Sequence, residues 1–216
     1  MKKRSTPKTR QTTLRITFPE DEVRFSWLPH LLDAYEAIDT GVAVALNRER
    51  RRANRPVACK ASCDACCRMH TDIPLYPLEL AGLSWYCIEK MAGDDRRILK
   101  EQLLAHAGKP PCPFLIRKNC SVYPMRPMAC RQFIVFGRVC EEGEDPFFTR
   151  RQDVLMPIPD FKDQAFLALM PYHGITSPED KTLALRQGIL NRLVRNLQEY
   201  EWKVLAAKME NFDARR

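Results

Sequence analysis

Cys59-Lys60-Ala61-Ser62-Cys63-Asp64-Ala65-Cys66-Cys67 places four thiols within nine residues. Cys112, Cys120 and Cys130 follow among prolines and arginines, so seven of the nine cysteines fall in two clumps. A structural thiol needs only an apolar pocket, whereas thiolates that bind an ion must converge to about 2.3 Å from it. Close spacing therefore points to metal ligation. Irregular, proline-rich backbone has little propensity of its own, and ligation can fix it because binding free energy becomes folding free energy. The expected fold is one in which helices flank loops pinned by metal.

A disulfide framework would need an oxidising compartment. The N-terminal run Met1-Lys2-Lys3-Arg4-Ser5-Thr6-Pro7-Lys8 is charged and lacks the apolar stretch of a secretory signal. That predicts a reduced, cytoplasmic chain. The odd cysteine count and the vicinal pair Cys66-Cys67 also argue against bridges. Cys87, on the apolar stretch from Leu80 to Met91, and Cys140, after an apolar run, read as ordinary buried thiols.

The net charge of +8 invites a nucleic-acid reading, but its distribution does not support one. Residues 1–16 carry Lys2, Lys3, Arg4, Lys8, Arg10 and Arg15 with no acid, which is six of the eight charges. The rest of the chain is nearly balanced. Residues 1–13 read as a basic disordered tail, and nucleic acid is not an expected partner. No stretch approaches the ~18 apolar residues of a membrane span. Residues 14–216 are expected to form a single metal-binding domain with its cysteine-cluster core at 55–136.

Periodicity gives a mainly α fold: a small helical domain with irregular metal-binding cysteine loops and at most a few short strands. Leu14, Ile16 and Phe18 alternate with polar residues as a short edge strand would, before Pro19. A helix over Trp27 to Arg52 turns Leu31, Leu32, Tyr35, Ile38, Val42, Val44 and Leu46 to one side. Arg48, Arg50, Arg51, Arg52 and Arg55 close it, as cations suit the partial negative charge of a helix C-terminus. Tyr76-Pro77-Leu78-Glu79 starts another helix to about Met91, and a further one runs from Asp94 or Asp95 to His106. Phe133 to Phe136 reads as a short buried strand and Asp160 to Met170 as a helix. Ser177-Pro178-Glu179-Asp180 opens a long C-terminal helix over 178–212, with Leu183, Leu190, Leu193, Leu197 and Val204 at three- and four-residue steps.

Cys59, Cys63 and Cys66 share the C-x3-C-x2-C spacing of radical S-adenosylmethionine enzymes. Those need alternating strands and helices, which this chain does not show. Read together, Cys59-x3-Cys63-x2-Cys66-Cys67, Cys112-Pro113-Phe114-Leu115 and Cys120-x2-Tyr123-x2-Arg126-Pro127-x2-Cys130-Arg131 resemble the YkgJ-like cysteine-cluster family over roughly residues 55–136. The resemblance implies a small cytoplasmic metal or iron–sulfur protein, and a similar cluster occurs in the longer flagellin lysine N-methylases.

The metal ligands expected are Cys59, Cys63, Cys66, Cys67, Cys112, Cys120 and Cys130. Thiolate sites suit zinc and iron–sulfur clusters alike. The Cys112-Pro113 pair also follows ferredoxin-type ligands, so a [4Fe–4S] cluster is expected, with zinc as the alternative. Seven thiols exceed four, leaving one cluster with spare cysteines or two metals open. Arg126, Arg131 and Tyr123 are expected to compensate thiolate charge and donate to sulfur or nearby carbonyls. His70 reads as polar surface. The expected role is accessory, electron-transfer or metal-handling, with a metal ion or cluster as partner. One alternative is an S-adenosylmethionine-dependent lysine N-methylase, although the eight glycines form no G-x-G pair. The other is a zinc-stabilised nucleic-acid module. The sequence assigns no catalytic residue.

Overall fold

The computed structural model describes residues 15–215, so the expected basic tail lies outside the described residues. The first element is a helix, α1 (Pro19–Arg24), with proline at its start and Glu20, Asp21 and Glu22 in its first turn. The edge strand expected before it is not formed at residues 15–18. Ile16 and Phe18 alternate because both pack on the core, and the Phe18 ring meets Trp85 edge-on at 5.0 Å. The long helix α2 (Leu28–Ala53) matches its periodic stretch, burying Leu28, Leu31, Leu32, Tyr35 and Ile38 and ending in Arg50, Arg51 and Arg52.

Next come α3 (Ala65–Met69), β1 (Pro74–Leu75) and α4 (Pro77–Trp85), which continues into a π-helical turn over Tyr86–Lys90. After α5 (Gly93–Ala105) a hairpin of β2 (Leu115–Ile116) and β3 (Asn119–Cys120) leads to α6 (Met128–Gln132). Phe133 to Phe136 contributes only isolated bridges, Val57 to Phe136 and Val135 to Val154. Then follow α7 (Pro146–Thr149) and α8 (Pro159–Leu169), which packs along α2. The fold is mainly α, and its strands are short antiparallel pairs.

The helix expected over 178–212 is broken, a correction to the periodic reading. It is divided into α9 (Pro178–Arg186), α10 (Ile189–Leu193), β4 (Arg195–Asn196) and α11 (Trp202–Asp213). Gly188 takes a left-handed conformation (φ +63), which ends the first piece. Val194 is extended, so Arg195 and Asn196 pair with Leu75 and Pro74. Leu190, Leu197 and Leu205 are all buried, but on three separate elements, while Leu183, Leu193 and Val204 are exposed.

Two apolar cores share α4. Leu78 and Trp85 join Leu28, Tyr35, Met125, Met128 and Phe166 in the first. Leu83 joins Leu75, Leu99, Cys112, Phe114, Leu197, Trp202 and Met209 in the second. Cys112 belongs to the second core, and Cys67, Cys120 and Cys130 pack against it. Gly82 marks how closely α4 packs on the first core: a Cβ there would stand 2.1 Å from Leu31 Cδ2 and 2.9 Å from Met125 Cε. Gly82→Ala is expected to destabilise by about 1–3 kcal/mol through overpacking, despite alanine's better helix propensity. A lower urea midpoint at unchanged m-value checks this.

Candidate metal centre

The first cysteine loop is held by short antiparallel contacts. The Ala58 N–H donates to Val135 O and the Gly137 N–H to Pro56 O, both at 2.8 Å. The Val135 N–H in turn donates to Cys59 Sγ at 3.3 Å. A tight turn follows, with the Cys63 N–H on Lys60 O at 3.0 Å and Ser62 at φ +61. Ser62 Oγ reaches Asn119 Oδ1 at 3.0 Å, tying this loop to the hairpin that carries Cys120. Cys66 and Cys67 lie on α3, and Cys67 O accepts the Cys112 N–H at 2.7 Å, which joins the two clumps. Cys120 pairs with Leu115 in the hairpin, and Cys130 lies on α6.

Cys66 on α3, Cys112 before β2, Cys120 on β3 and Cys130 on α6 lie near enough for their charges to act on one another. Burial pushes the Cys112 thiol up to about 12, and Cys120 and Cys66 add to the effect. Burial also raises Cys120 and Cys130, and Cys66 contributes in both cases. Cys66 is raised by its hydrogen bond with the Cys67 thiol and then by burial. Cys59 feels Cys63 and Cys66. Cys63 is exposed, whereas Cys112 is buried. Among the described residues no three His, Cys, Asp or Glu side chains stand close enough to hold a single ion as they are. The donor set nevertheless fits a soft metal group in kind and number: four buried or partly buried thiols whose shared charge a metal cation would offset.

Arg131 is buried beneath this group. It pairs with Asp39 Oδ2 at 2.7 Å, donates to Arg126 O at 3.0 Å and to Pro124 O, and lies over the Tyr35 ring at 3.9 Å. Arg126 donates to Tyr123 O at 3.1 Å and covers the Tyr123 ring at 3.9 Å. Both guanidinium charges oppose the burial effect on Cys120. Tyr123 itself is 59% exposed. His70 is more enclosed than a surface reading implies, edge-on to Phe133 with Nε2 at 3.7 Å from Asp145 Oδ1. Cys87 is fully buried in the second core.

Glu79 was visible in the sequence only as an acid in a first helical turn, yet it positions Cys130. Its Oε2 accepts the Tyr76 N–H at 3.1 Å, and its Oε1 accepts the Met128 N–H at 2.6 Å, where α6 begins. One carboxyl thus anchors two helix starts. Burial pushes it up to about 7, against these two N–H groups. The unfolded chain ionises first, near 4.5. The contribution is therefore complete below about pH 4.5 and is lost as pH rises through 7, up to about 3 kcal/mol. Glu79→Gln is expected to flatten that decline, as read from denaturant midpoints across this range.

Residues 58–153 match the profile of the CxxCxxCC family, described as "Putative zinc- or iron-chelating domain". In this chain three residues, rather than two, separate the first two cysteines. Comparison with curated proteins and with solved structures gave no match. No helix among the described residues is long and apolar enough to cross a membrane.

Proposed function

We propose that this chain, whose residues 58–153 carry a zinc- or iron-chelating domain, holds a [4Fe–4S] cluster on Cys66, Cys112, Cys120 and Cys130. Its role would be that of an accessory, electron-transfer or metal-handling protein. What supports the reading is that Cys112, Cys120 and Cys130 pack in or against the second core, with Cys66 near enough for its charge to act on all three. They are too spread to cage one ion without movement, and a polynuclear cluster spans a wider donor set than a single zinc. Such a group would supply one-electron transfer, with a potential set by burial and by hydrogen bonds around its sulfurs. Arg126 and Arg131 would temper the negative charge near Cys120, while Cys67 supports Cys66 through the thiol hydrogen bond.

Protein purified under strict exclusion of oxygen is expected to be brown, with iron matched by acid-labile sulfide. Colourless protein with stoichiometric zinc and no sulfide would replace the cluster by zinc on the same thiols.

A further inference from the structure

The arginine run that closes α2 continues past the helix, and the fold sets a cleft beside it. Asn54 is left-handed (φ +46) and ends the helix, and Arg55 after it reaches back. Its Nη2 donates to Glu49 Oε2 at 2.8 Å, and its Nη1 to Gln152 O at 2.8 Å and Asp153 Oδ1 at 3.1 Å. The same guanidinium covers the Phe136 ring at 5.0 Å. Arg55 thereby ties the last turns of α2 to the segment 151–156, and both line a cleft of about 510 Å³. Glu49, Arg52, Arg55 and Arg151 supply its charged lining, while Leu155 and Met156 supply apolar lining.

Two of these charges are left unanswered. Both carboxylates at hand, Glu49 and Asp153, are engaged by Arg55. Arg52 is exposed and Arg151 half-buried, and neither makes an ion pair among the described residues. Arg151 lies over the Phe147 ring at 4.2 Å, with its Nη1 enclosed and without a hydrogen-bond partner. Enclosed polar groups are almost always satisfied, and an exception points to a missing water or ion. A water would satisfy Nη1 but would leave the charge unanswered. Cations also offset the partial negative charge of a helix C-terminus. That accounts for Arg52, but not for a second arginine brought to the same cleft from outside α2.

The geometry points to a binding site for the phosphate group of a small organic molecule, with Arg52 and Arg151 as charged donors, Arg55 as a fixed wall, and Leu155 and Met156 against the ligand's apolar part. The planar fork of a guanidinium meets phosphate oxygens two at a time. Two uncompensated charges match a phosphate monoester, which carries about two negative charges at pH 7, better than a carboxylate with one. The cleft falls in the size range of small-molecule sites, roughly 300–1,000 Å³. This site is separate from the cysteine centre and does not rest on the metal reading.

The test is calorimetric titration of the full, metal-loaded chain with phenyl phosphate, inorganic phosphate and benzoate at physiological ionic strength. Phenyl phosphate is expected to bind saturably and more tightly than either of the others, since each of those lacks one half of the match. Arg151→Gln should weaken it by about 10–100-fold, the effect of losing a hydrogen bond between charged groups. Arg117→Gln, an exposed arginine that pairs with Asp94 and Asp95 outside the cleft, should leave the affinity unchanged. Circular dichroism on heating reports whether Arg151→Gln folds. Met156→Glu tests the cleft independently, because it alters a side chain that is 62% exposed and sets a carboxylate where the ligand would lie. It should abolish binding. Wild-type affinity in both Arg151→Gln and Met156→Glu, or no saturable binding of phenyl phosphate, overturns the site. Benzoate binding as tightly as phenyl phosphate overturns the assignment to phosphate.

Discussion

Cys112→Ser is expected to abolish metal binding at the proposed centre and to unfold much of the domain. Cys112 is buried, its N–H fixes Cys67 O at 2.7 Å, and its carbonyl takes the Leu115 N–H at 3.1 Å. Serine keeps these backbone bonds, so on the proposed ligation the loss is that of the metal–sulfur bond that would tie this segment to α3 and α6. Structural thiolate sites of the zinc kind bind with apparent free energies of about 10–16 kcal/mol, comparable with the whole ~5–15 kcal/mol of a typical native state. Metal analysis together with circular dichroism on heating checks the effect. Cys87→Ser is the control: it buries a hydroxyl at a cost of about 1–3 kcal/mol but should leave metal content unchanged. Equal metal content in Cys87→Ser and Cys112→Ser would remove Cys112 from the ligand set.

Arg131→Ala carries the largest expected effect away from the thiols. Its side chain is 1% exposed and holds Asp39 and two backbone carbonyls while covering Tyr35. Removing it leaves these acceptors without their donor, at a cost of about 3–5 kcal/mol for a broken buried pair. For a chain of this size that amounts to a drop of about 10 °C in Tm. Arg131→Lys should recover little, because an ammonium offers a point charge where the site uses a planar fork. A lysine variant that melts with wild type would show that charge alone matters there.

The sequence was legible where local rules act alone. The apolar face of α2 needed only its own periodicity, and the observed span, Leu28–Ala53, differs by one residue at each end from the reading. The 178–212 stretch misled because a three- and four-residue stripe persists even when its members lie on different elements. What breaks that stripe is Gly188 together with a pairing to Pro74–Leu75, a partner far away in the chain. The cysteine spacing pointed to metal binding but not to which segments lie side by side. That is set by backbone contacts between distant segments: Cys67 O on Cys112 N, and residues 56–59 on 135–137. Tyr123, expected beside the metal, spends its ring under Arg126 and faces outward.

The second core draws Leu197, Trp202, Leu205 and Met209 from beyond residue 153, and β4 closes on β1 from the same region. The first takes Leu28, Leu32 and Tyr35 from before residue 58. A fragment excised at the borders of the family match would keep its thiols and lose part of each core, including the second, against which they pack. The cysteine words are therefore not a portable cassette: transplanted into another scaffold they would bring sulfur without the apolar packing that shelters it here.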